Sequence, residues 1–398
     1  MIRLAIAVSH PIQHFAPWHR EVAKLPGIEL MVFFYTQWGR SDGYLDPGFS
    51  RTVKWDVPLL EGYDYEFLNS AKNLDKKSFF AVDNPDLASA LTRFSPDVVK
   101  VFGWAYRSNW RVASWTKRFR KPLLVYTDAN IKSPVPVWKQ VLKLPIVSHF
   151  YNKIDGALYV GDNNREVHRY YGLPENRLFE GVLPIDRNRI LAGVPDRCVA
   201  RTEIRKQYGI PHDAFVVIFC GKYQMIKSPV DLVAAIRALS RRGLSVWALM
   251  VGEGGQRAAI ESFCAREDVR NVTLTGFVNQ SEVPRYFAAS DALAVTSWLD
   301  NHPLVVSEAA CFGLPVVISD RVGCIGPNDT ARPGVNAIVY PWGDCTRLAA
   351  AIESLVIDDN TYKKMACASV EISKTQDITV AARQLAEAVA KLKELGPR

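Results

Sequence analysis

Residues 292–318 read ALAVTSWLDNHPLVVSEAACFGLPVVI. The stretch opens with a short apolar run, Ala292–Thr296, which has the length of a buried strand. Pro303 then stands where helices commonly begin, and Gly313 marks the end of that helix. A second apolar run, Pro315–Ile318, follows at once. A buried strand, a helix and another buried strand predict a parallel βαβ unit.

The same alternation of apolar runs and helical segments extends along the chain. The other predicted strands are Arg3–Val8, Glu29–Tyr35, Val98–Phe102, Leu123–Tyr126, Gly156–Val160, Phe215–Phe219, Ser245–Val251 and Val272–Thr275. At 398 residues the chain is long enough for two domains. We expect an α/β fold of two facing Rossmann-like domains with parallel sheets, residues 1–188 and 189–375.

Two segments depart from this alternation. Between Trp38 and Lys77 glycine, proline and aromatic residues interrupt the pattern, which predicts a long irregular insertion. Near the end, Leu385, Val389 and Leu392 form one apolar helical stripe. We expect this last segment, residues 376–398, to form a helix that crosses back onto the first domain.

The composition indicates a cytoplasmic protein. The first apolar run stops at Ser9-His10-Pro11 without a small-residue cleavage site, which favours a buried strand over a signal peptide. No apolar run approaches the length needed to span a bilayer. The 7 cysteines begin at Cys198, are odd in number and form no C-x-x-C pair, as expected of free thiols in a reducing compartment.

The net charge of +8 is concentrated in one stretch, from Arg107 to Lys153. It holds ten basic residues and one acid, Asp128, with aromatic residues between them. A solvated basic face is one interpretation, and peripheral contact with the anionic inner face of a membrane is another. A nucleic-acid backbone is the third, and the least favoured.

Two groups of residues in the second half carry the expected chemistry. The first amides of the helix that opens at Pro303, those of Leu304 and Val305, predict a diphosphate site, and Glu308 one turn on can accept from a ribose diol. Gly221 follows a predicted strand and precedes two lysines, Lys222 and Lys227. Two cations at a strand end can neutralise a departing diphosphate. Their spacing is not that of an ATP-binding P-loop.

These residues resemble family 4 of the glycosyltransferases, which have the GT-B fold, in the form common among bacterial surface-polysaccharide enzymes. The family has a glycine and two basic residues in the first loop, and two acids with seven residues between them. Here Asp300 and Glu308 occupy the acid positions. The resemblance covers roughly residues 215–355, and the first half matches only in general architecture.

The resemblance implies a role for each of these positions. Lys222 and Lys227 would hold the diphosphate and assist catalysis, and Glu308 would hold the ribose. Asp300 would contact the donor sugar, although the family usually has the longer Glu there. The remaining donor-binding positions by this likeness are Gly221, Gly276, Phe277, Val278, His302, Pro303, Leu304 and Val305. By the same likeness, the backbone of the loop Gly276-Phe277-Val278 would read the base.

The first-domain catalytic residue stays a choice among three. Many family members place a histidine near the reacting carbon, and here the candidates are Asp128 after one predicted strand and His10 or His14 after another. His10 and His14 can also be read as a metal pair, but no third ligand follows them. No Asp-x-Asp stands at a strand end to hold a metal-bound diphosphate, so we expect no metal and no other cofactor.

The predicted function is transfer of a sugar from a nucleoside-diphosphate sugar to a glycan or lipid-linked acceptor. Retention at the anomeric carbon and a place in surface polysaccharide or glycolipid assembly follow from the resemblance alone. The alternatives are a GT-B nucleotide-sugar hydrolase or epimerase, a DNA-modifying glycosyltransferase, and a non-enzymatic binding protein. A DNA-modifying enzyme would bind duplexes with an affinity that falls steeply with salt.

Overall fold

The structure is a computed structural model that describes residues 1–38, 44–46, 48, 51–72, 78–132 and 137–398. The chain divides into two compact units. Unit 1 consists of Met1–Tyr44, Pro58–Pro184 and Asp377–Arg398, and unit 2 of Leu45–Val57 and Ile185–Gln376. That Leu45–Val57 packs with the later residues was not predicted.

The strands, in chain order, are β1 Ile2–Val8, β2 Ile28–Thr36, β3 Tyr44–Asp46, β4 Arg51–Val53, β5 Tyr65–Lys72, β6 Val98–Phe102, β7 Leu123–Thr127, β8 Gly156–Tyr159, β9 Leu178–Glu180, β10 Phe215–Cys220, β11 Val246–Val251, β12 Val272–Gly276, β13 Ala292–Val295, β14 Val316–Ser319 and β15 Ala337–Tyr340. Strands β3 and β4 pair with each other.

The α-helices are α1 Phe15–Ala23, α2 Leu87–Phe94, α3 Arg107–Phe119, α4 Val137–Tyr151, α5 Asp162–Tyr170, α6 Arg187–Ala192, α7 Arg197–Gln207, α8 Pro229–Arg241, α9 Arg257–Glu267, α10 Val283–Ala288, α11 Leu304–Ala310, α12 Cys345–Ile357, α13 Asp359–Thr375 and α14 Ile378–Leu395. No helix in the described ranges is long and apolar enough to cross a bilayer.

Unit 1 is built on a parallel sheet in the order β5-β2-β1-β6-β7-β8-β9. Its interior strand β1 has the sequence IRLAIAV and is buried from Leu4 onward, as expected of a strand covered on both faces. Helix α14 packs against α1 and contacts β6, β8 and β9. Its predicted apolar stripe of Leu385, Val389 and Leu392 is fully buried, which confirms the return of the last helix to the first domain.

Unit 2 is built on a parallel sheet in the order β12-β11-β10-β13-β14-β15. The strand order reverses between β10 and β13, and in unit 1 it reverses between β1 and β6. Loops at the carboxyl ends of such a strand pair diverge and leave a crevice, which is where open α/β sheets bind ligands. The two parallel-sheet units confirm the predicted fold class.

The predicted irregular insertion between Trp38 and Lys77 was wrong in part, because strands β3, β4 and β5 lie within it. Strand β5 lies there and pairs with β2 at the edge of the unit 1 sheet. Its sequence mixes polar and apolar residues because an edge strand has one neighbour and a partly exposed surface. Residues 39–43, 47, 49–50 and 73–77 of the insertion lie outside the described residues.

Candidate functional site

The loop after β10 opens the candidate site of unit 2. Strand β10 ends at Cys220, and Gly221 follows with φ +153 and donates its amide to Val251 O at 2.9 Å. Burial and the nearby Glu308 carboxylate raise the pKa of Cys220, so it remains a thiol. The chain then runs through Lys222 into a single 3-10 turn, Met225–Lys227, before α8. Both predicted lysines thus stand at the switch point of the sheet.

Lys227 connects the two strands on either side of the switch point. Its Nζ donates to Asp300 Oδ2. Its carbonyl accepts from Thr296 Oγ1 at 2.8 Å, directly after β13. Asp300 is fixed in turn, because its carbonyl accepts from Gly323 N at 2.9 Å. A lysine and an aspartate 73 residues apart therefore meet in one ion pair at the crevice.

Lys222 lies against a residue from the first part of the chain. A Cβ added to Gly48 would stand 2.5 Å from Lys222 Cδ and 2.9 Å from its Nζ. Gly48 O would also stand 2.9 Å from a Cβ on Gly254, in the loop after β11. Glycine at position 48 thus leaves the room that the Lys222 side chain occupies.

Three neighbouring strand-end loops pack through glycines. Gly252 N donates to Gly276 O at 3.0 Å, and a Cβ on Gly252 would stand 1.9 Å from Gly221 O. Gly276 has φ +76, a conformation that glycine adopts without strain. The following residues, Phe277 and Val278, are half-buried, and Val278 packs against the core of unit 2. The predicted base-reading loop is therefore fixed to the lysine loop through Gly252.

Helix α11 begins one position later than predicted. Pro303 is its N-cap residue with extended backbone angles (φ −69, ψ 116), so the first helical residue is Leu304. The helix has 7 residues, and Leu304 and Val305 pack partly against the core. An N-cap proline keeps its fixed φ but has no side-chain acceptor for the first amides, unlike Ser or Asp.

Glu308 is half-buried one turn into α11 and close to the end of β10. Burial raises its pKa to about 6, and the positive charge of Arg189 on α6 opposes this rise. Glu308 is therefore mostly ionised at neutral pH and available to accept hydrogen bonds. Asp300 lies in the loop between β13 and α11, and Glu308 lies in α11 itself.

His302, one of the predicted donor-binding residues, has a buried side chain. Its side chain is 2% exposed, and its Nε2 lies 3.4 Å from Oδ1 of the fully buried Asp329. Neither ring nitrogen has a hydrogen-bond partner among the described residues. The ring is enclosed within unit 2 and does not face solvent.

The three first-domain candidates lie after two strands of the unit 1 sheet. His10 follows β1, at the switch point, where its Nδ1 is 2.8 Å from Ser9 Oγ and its ring meets Trp38 edge-on at 4.6 Å. His14 is the N-cap of α1, and burial lowers its pKa to about 4, so it is neutral at pH 7. Asp128 is exposed after β7, which is separated from β1 by β6.

The described residues bring together no group of three or more His, Cys, Asp or Glu side chains that could hold a metal ion. His10 and His14 thus have no third ligand of these types within the described ranges.

Three contributors to the site were not predicted. Gly252 had a sequence signal, since the run Gly252-Glu253-Gly254-Gly255 directly follows a strand and such glycines often allow close backbone approach. Gly48 and Arg189 had no such sequence signal. Gly48 lies near Lys222, and Arg189 near Glu308, only because distant segments of the chain pack together.

Residues 200–369 match the family model described as glycosyl transferases group 1. The matched residues lie within unit 2.

Among curated relatives, D-inositol 3-phosphate glycosyltransferase of Xylanimonas cellulosilytica is 27% identical over 52% of this chain and 49% of its own length. Alpha-D-kanosaminyltransferase of Streptomyces kanamyceticus is 25% identical over 60% of this chain and 58% of its own. The chain therefore spans about half the length of these relatives.

Among solved structures, Anabaena HepE in complex with UDP is 18% identical, with a TM-score of 0.74 over 98% of this chain and 100% of that one. The same protein is known in complex with UDP-glucose. At this identity the similarity establishes the fold alone, which is that of the GT-B glycosyltransferases.

Proposed function

We propose that the chain transfers a sugar from a nucleoside-diphosphate sugar to an acceptor hydroxyl, with retention at the anomeric carbon. The observation that carries this proposal is the ion pair between Lys227 and Asp300, which joins the two strand-end loops of a glycosyltransferase group 1 domain at its switch point. Lys222 and Glu308 stand at the same sheet edge, so cations and hydrogen-bond acceptors are supplied together.

In the proposed reaction Lys222 and Lys227 bind the diphosphate, with the Leu304 and Val305 amides beside it, and Glu308 accepts from the ribose hydroxyls. The bond between the anomeric carbon and the phosphate oxygen breaks, and a bond to the acceptor oxygen forms on the same face. The acceptor's proton passes to the departing phosphate oxygen. The lysines stabilise the charge that develops there, which is where electrostatic catalysis is most effective.

Asp300 has two duties in this scheme. Without donor it pairs with Lys227. With donor, Lys227 turns to the diphosphate, and the Asp300 carboxylate becomes available to the sugar hydroxyls. His10 is our preferred first-domain catalytic residue, ahead of His14 and Asp128, because it follows β1 at the switch point of its own sheet.

We propose a chemical class for the donor and one for the acceptor. HepE, which shares the fold, binds UDP and UDP-glucose, and this supports a uridine nucleotide as the first to test. We propose a glycan or lipid-linked acceptor in bacterial surface polysaccharide or glycolipid assembly, reached by peripheral contact with an anionic membrane. A thermal-shift screen of nucleotides and nucleotide sugars identifies the donor, since a ligand at 100 times its Kd stabilises by about 2.7 kcal/mol.

Lys227→Ala tests the proposal directly. Consumption of the donor selected by the screen should fall about 100- to 1000-fold, the cost of removing one charge-stabilising donor from a transition state. Lys374→Ala is the matched control, because Lys374 is an exposed unit 2 lysine that pairs with Glu371 at 2.6 Å. Turnover by Lys227→Ala equal to that of the control would overturn the assignment.

The products of the same assay separate the alternatives. A glycosylated acceptor supports transfer, whereas free sugar or an epimerised donor as the main product would indicate the hydrolase or epimerase.

We also propose that donor binding needs no metal ion, with the two lysines in its place. Wild-type donor affinity and turnover should be unchanged in EDTA. Loss of both in EDTA, with recovery on adding Mg²⁺ or Mn²⁺, would contradict this prediction.

A further inference from the structure

Helix α4 is apolar on two opposite sides. Val147 and Phe150 are fully buried in the core of unit 1. On the other side Trp138, Val141 and Leu142, spaced three and four residues apart, are 62%, 64% and 63% exposed. At that spacing they form one face of the helix. A helix with apolar residues on two opposite sides is normally covered on both, so we expect a binding partner to cover the outward side.

Further exposed apolar side chains extend this outward face. Ile146, in the same helix, is 53% exposed and Leu144 is 39% exposed. Ile131, in the segment that precedes the helix, is 50% exposed. Single exposed apolar residues are common on protein surfaces, but a group on one helix marks a contact site.

The charges around this face are positive. Lys132 is exposed next to Ile131, and Lys143, an exposed residue of α4 itself, has its Nζ 5.2 Å from the centroid of the Trp104 ring. Asp128 is the one acid in the sequence between Arg107 and Lys153. The apolar face is therefore bordered by cations with little compensating charge.

A basic groove continues from the helix. It lies between α2 and α3, and its lining includes four arginines and three aromatic residues: Arg93, Arg107, Arg111, Arg118, Trp110, Trp115 and Phe119. Trp110 connects the groove to α4, because its ring stacks on His149 at 5.9 Å and packs on Phe150 at 5.0 Å. Asp83 pairs with both Arg107 and Arg111, and Glu66 pairs with Arg93, so four arginines face two carboxylates and the groove keeps a positive balance.

We propose that unit 1 docks onto an anionic phospholipid bilayer through α4. The helix lies in the plane of the interface with Trp138, Val141 and Leu142 among the acyl chains. Lys132, Lys143 and the arginines of the groove contact the headgroup phosphates. This proposal rests on the membrane contact proposed above and assigns it to a particular surface.

The combination of apolar face and cations favours a bilayer over two other occupants. A nucleic-acid backbone matches the cations but offers nothing to bury Val141 and Leu142. A second copy of the chain would bury the apolar face, but in a symmetric contact the same basic border would face itself. An anionic bilayer satisfies both parts, and a helix of 15 residues is too short to span it.

Co-sedimentation with vesicles tests the proposal. Wild-type protein should bind vesicles of phosphatidylcholine mixed with phosphatidylglycerol, bind pure phosphatidylcholine much less, and lose affinity as salt is added. Leu142→Glu should weaken binding at least ~10-fold, or ~1.4 kcal/mol, because a charge enters the acyl region. Ile357→Glu is the matched control, since Ile357 is a 70% exposed apolar residue at the end of α12 in unit 2.

Because Leu142 is exposed, both variants should keep the wild-type melting temperature, which shows that they fold. Equal vesicle binding by Leu142→Glu and wild type, or no binding by wild type, would overturn the proposal. So would a wild-type dimer that Leu142→Glu dissociates, or tighter binding to duplex DNA than to vesicles. The nucleotide screen uses no lipid, so failure of the membrane proposal and failure of the transferase proposal are separate results.

Discussion

At the scale of single residues, Lys100 is a basic side chain that is buried among aromatic rings. It lies on β6 with no exposed surface, and its Nζ stands 4.2, 3.7 and 4.7 Å from the ring centroids of Trp18, Phe102 and Tyr126. No hydrogen-bond acceptor for this amine occurs in the described part of the chain. Aromatic faces attract a cation, but burial lowers the pKa of Lys100 well below its usual value.

Lys100→Met should stabilise the protein at neutral pH. An amine buried without a partner costs about 1–3 kcal/mol, whereas a thioether packs well against aromatic rings. Because the folded-state pKa is lowered, the unfolded chain binds the extra proton, and wild-type stability rises with pH up to the unfolded pKa. Between about pH 7.5 and about pH 9.5, the free energy of unfolding should therefore rise by less in the variant than in wild type. Urea unfolding at the two pH values measures this difference.

The groups that face Lys100 do not change charge over that range. His19 also has a lowered pKa, partly through Lys100, so it titrates at lower pH, and burial raises the pKa of Tyr126 well above its usual value. Equal pH dependence in wild type and Lys100→Met would contradict the prediction.

At this scale the sequence indicates the local motif and little beyond it. Asp300 and Glu308 are recognisable because their spacing is fixed within one strand-to-helix segment, and Lys222 and Lys227 because they follow a strand. That Lys227 pairs with Asp300 depends on which strands are neighbours, and that depends on the whole sheet. Arg189 near Glu308 arises the same way.

At the element scale, a strand is recognisable in the sequence when both of its faces are buried. Strands β1, β10 and β13 are continuous apolar runs because both of their faces are covered, and such runs were predicted within one or two residues. Strand β5 was missed because it is an edge strand of mixed polarity. Strand β9 has only 3 residues, too few to show a period.

Gly252→Ala should disrupt the contact between the lysine loop and the base-reading loop. The new Cβ would stand 1.9 Å from Gly221 O, so the backbone of one loop must move. We expect a lower melting temperature and nucleotide affinity reduced at least ~10-fold, or ~1.4 kcal/mol. Thermal shift with and without the nucleotide measures both effects.

Gly243→Ala is the control for that variant, because Gly243 also has positive φ, at +81, but has no atom within 4 Å of an added Cβ. It carries only the backbone penalty of about 1–2 kcal/mol for a left-handed residue. Equal losses of nucleotide affinity in both variants would show that the contact with Gly221 does not position the loop.

At the scale of the whole molecule, the chain passes between its two units four times: after Tyr44, Val57, Pro184 and Gln376. The passage to α14 could be predicted, because its apolar stripe needs a partner. The passage of Leu45–Val57 into unit 2 could not. That segment is held partly by polar contacts, with Asn279 Nδ2 donating to Lys54 O at 2.9 Å and Ser281 N to Asp56 Oδ2 at 3.2 Å, and such contacts leave no apolar period.

Because the chain alternates between the two units, neither unit is synthesised as one continuous segment. Strand β1 and helix α1 are translated before most of unit 2, but the α14 helix that covers α1 is translated only after all of unit 2. On the ribosome, unit 1 therefore waits with an uncovered apolar surface while unit 2 is made. Unit 2 in turn draws on Leu45–Val57, translated long before the rest of it. A gene fragment encoding residues 185–376 would lack the glycine that lies against Lys222, so dissecting this protein at its most obvious boundary removes part of the site itself.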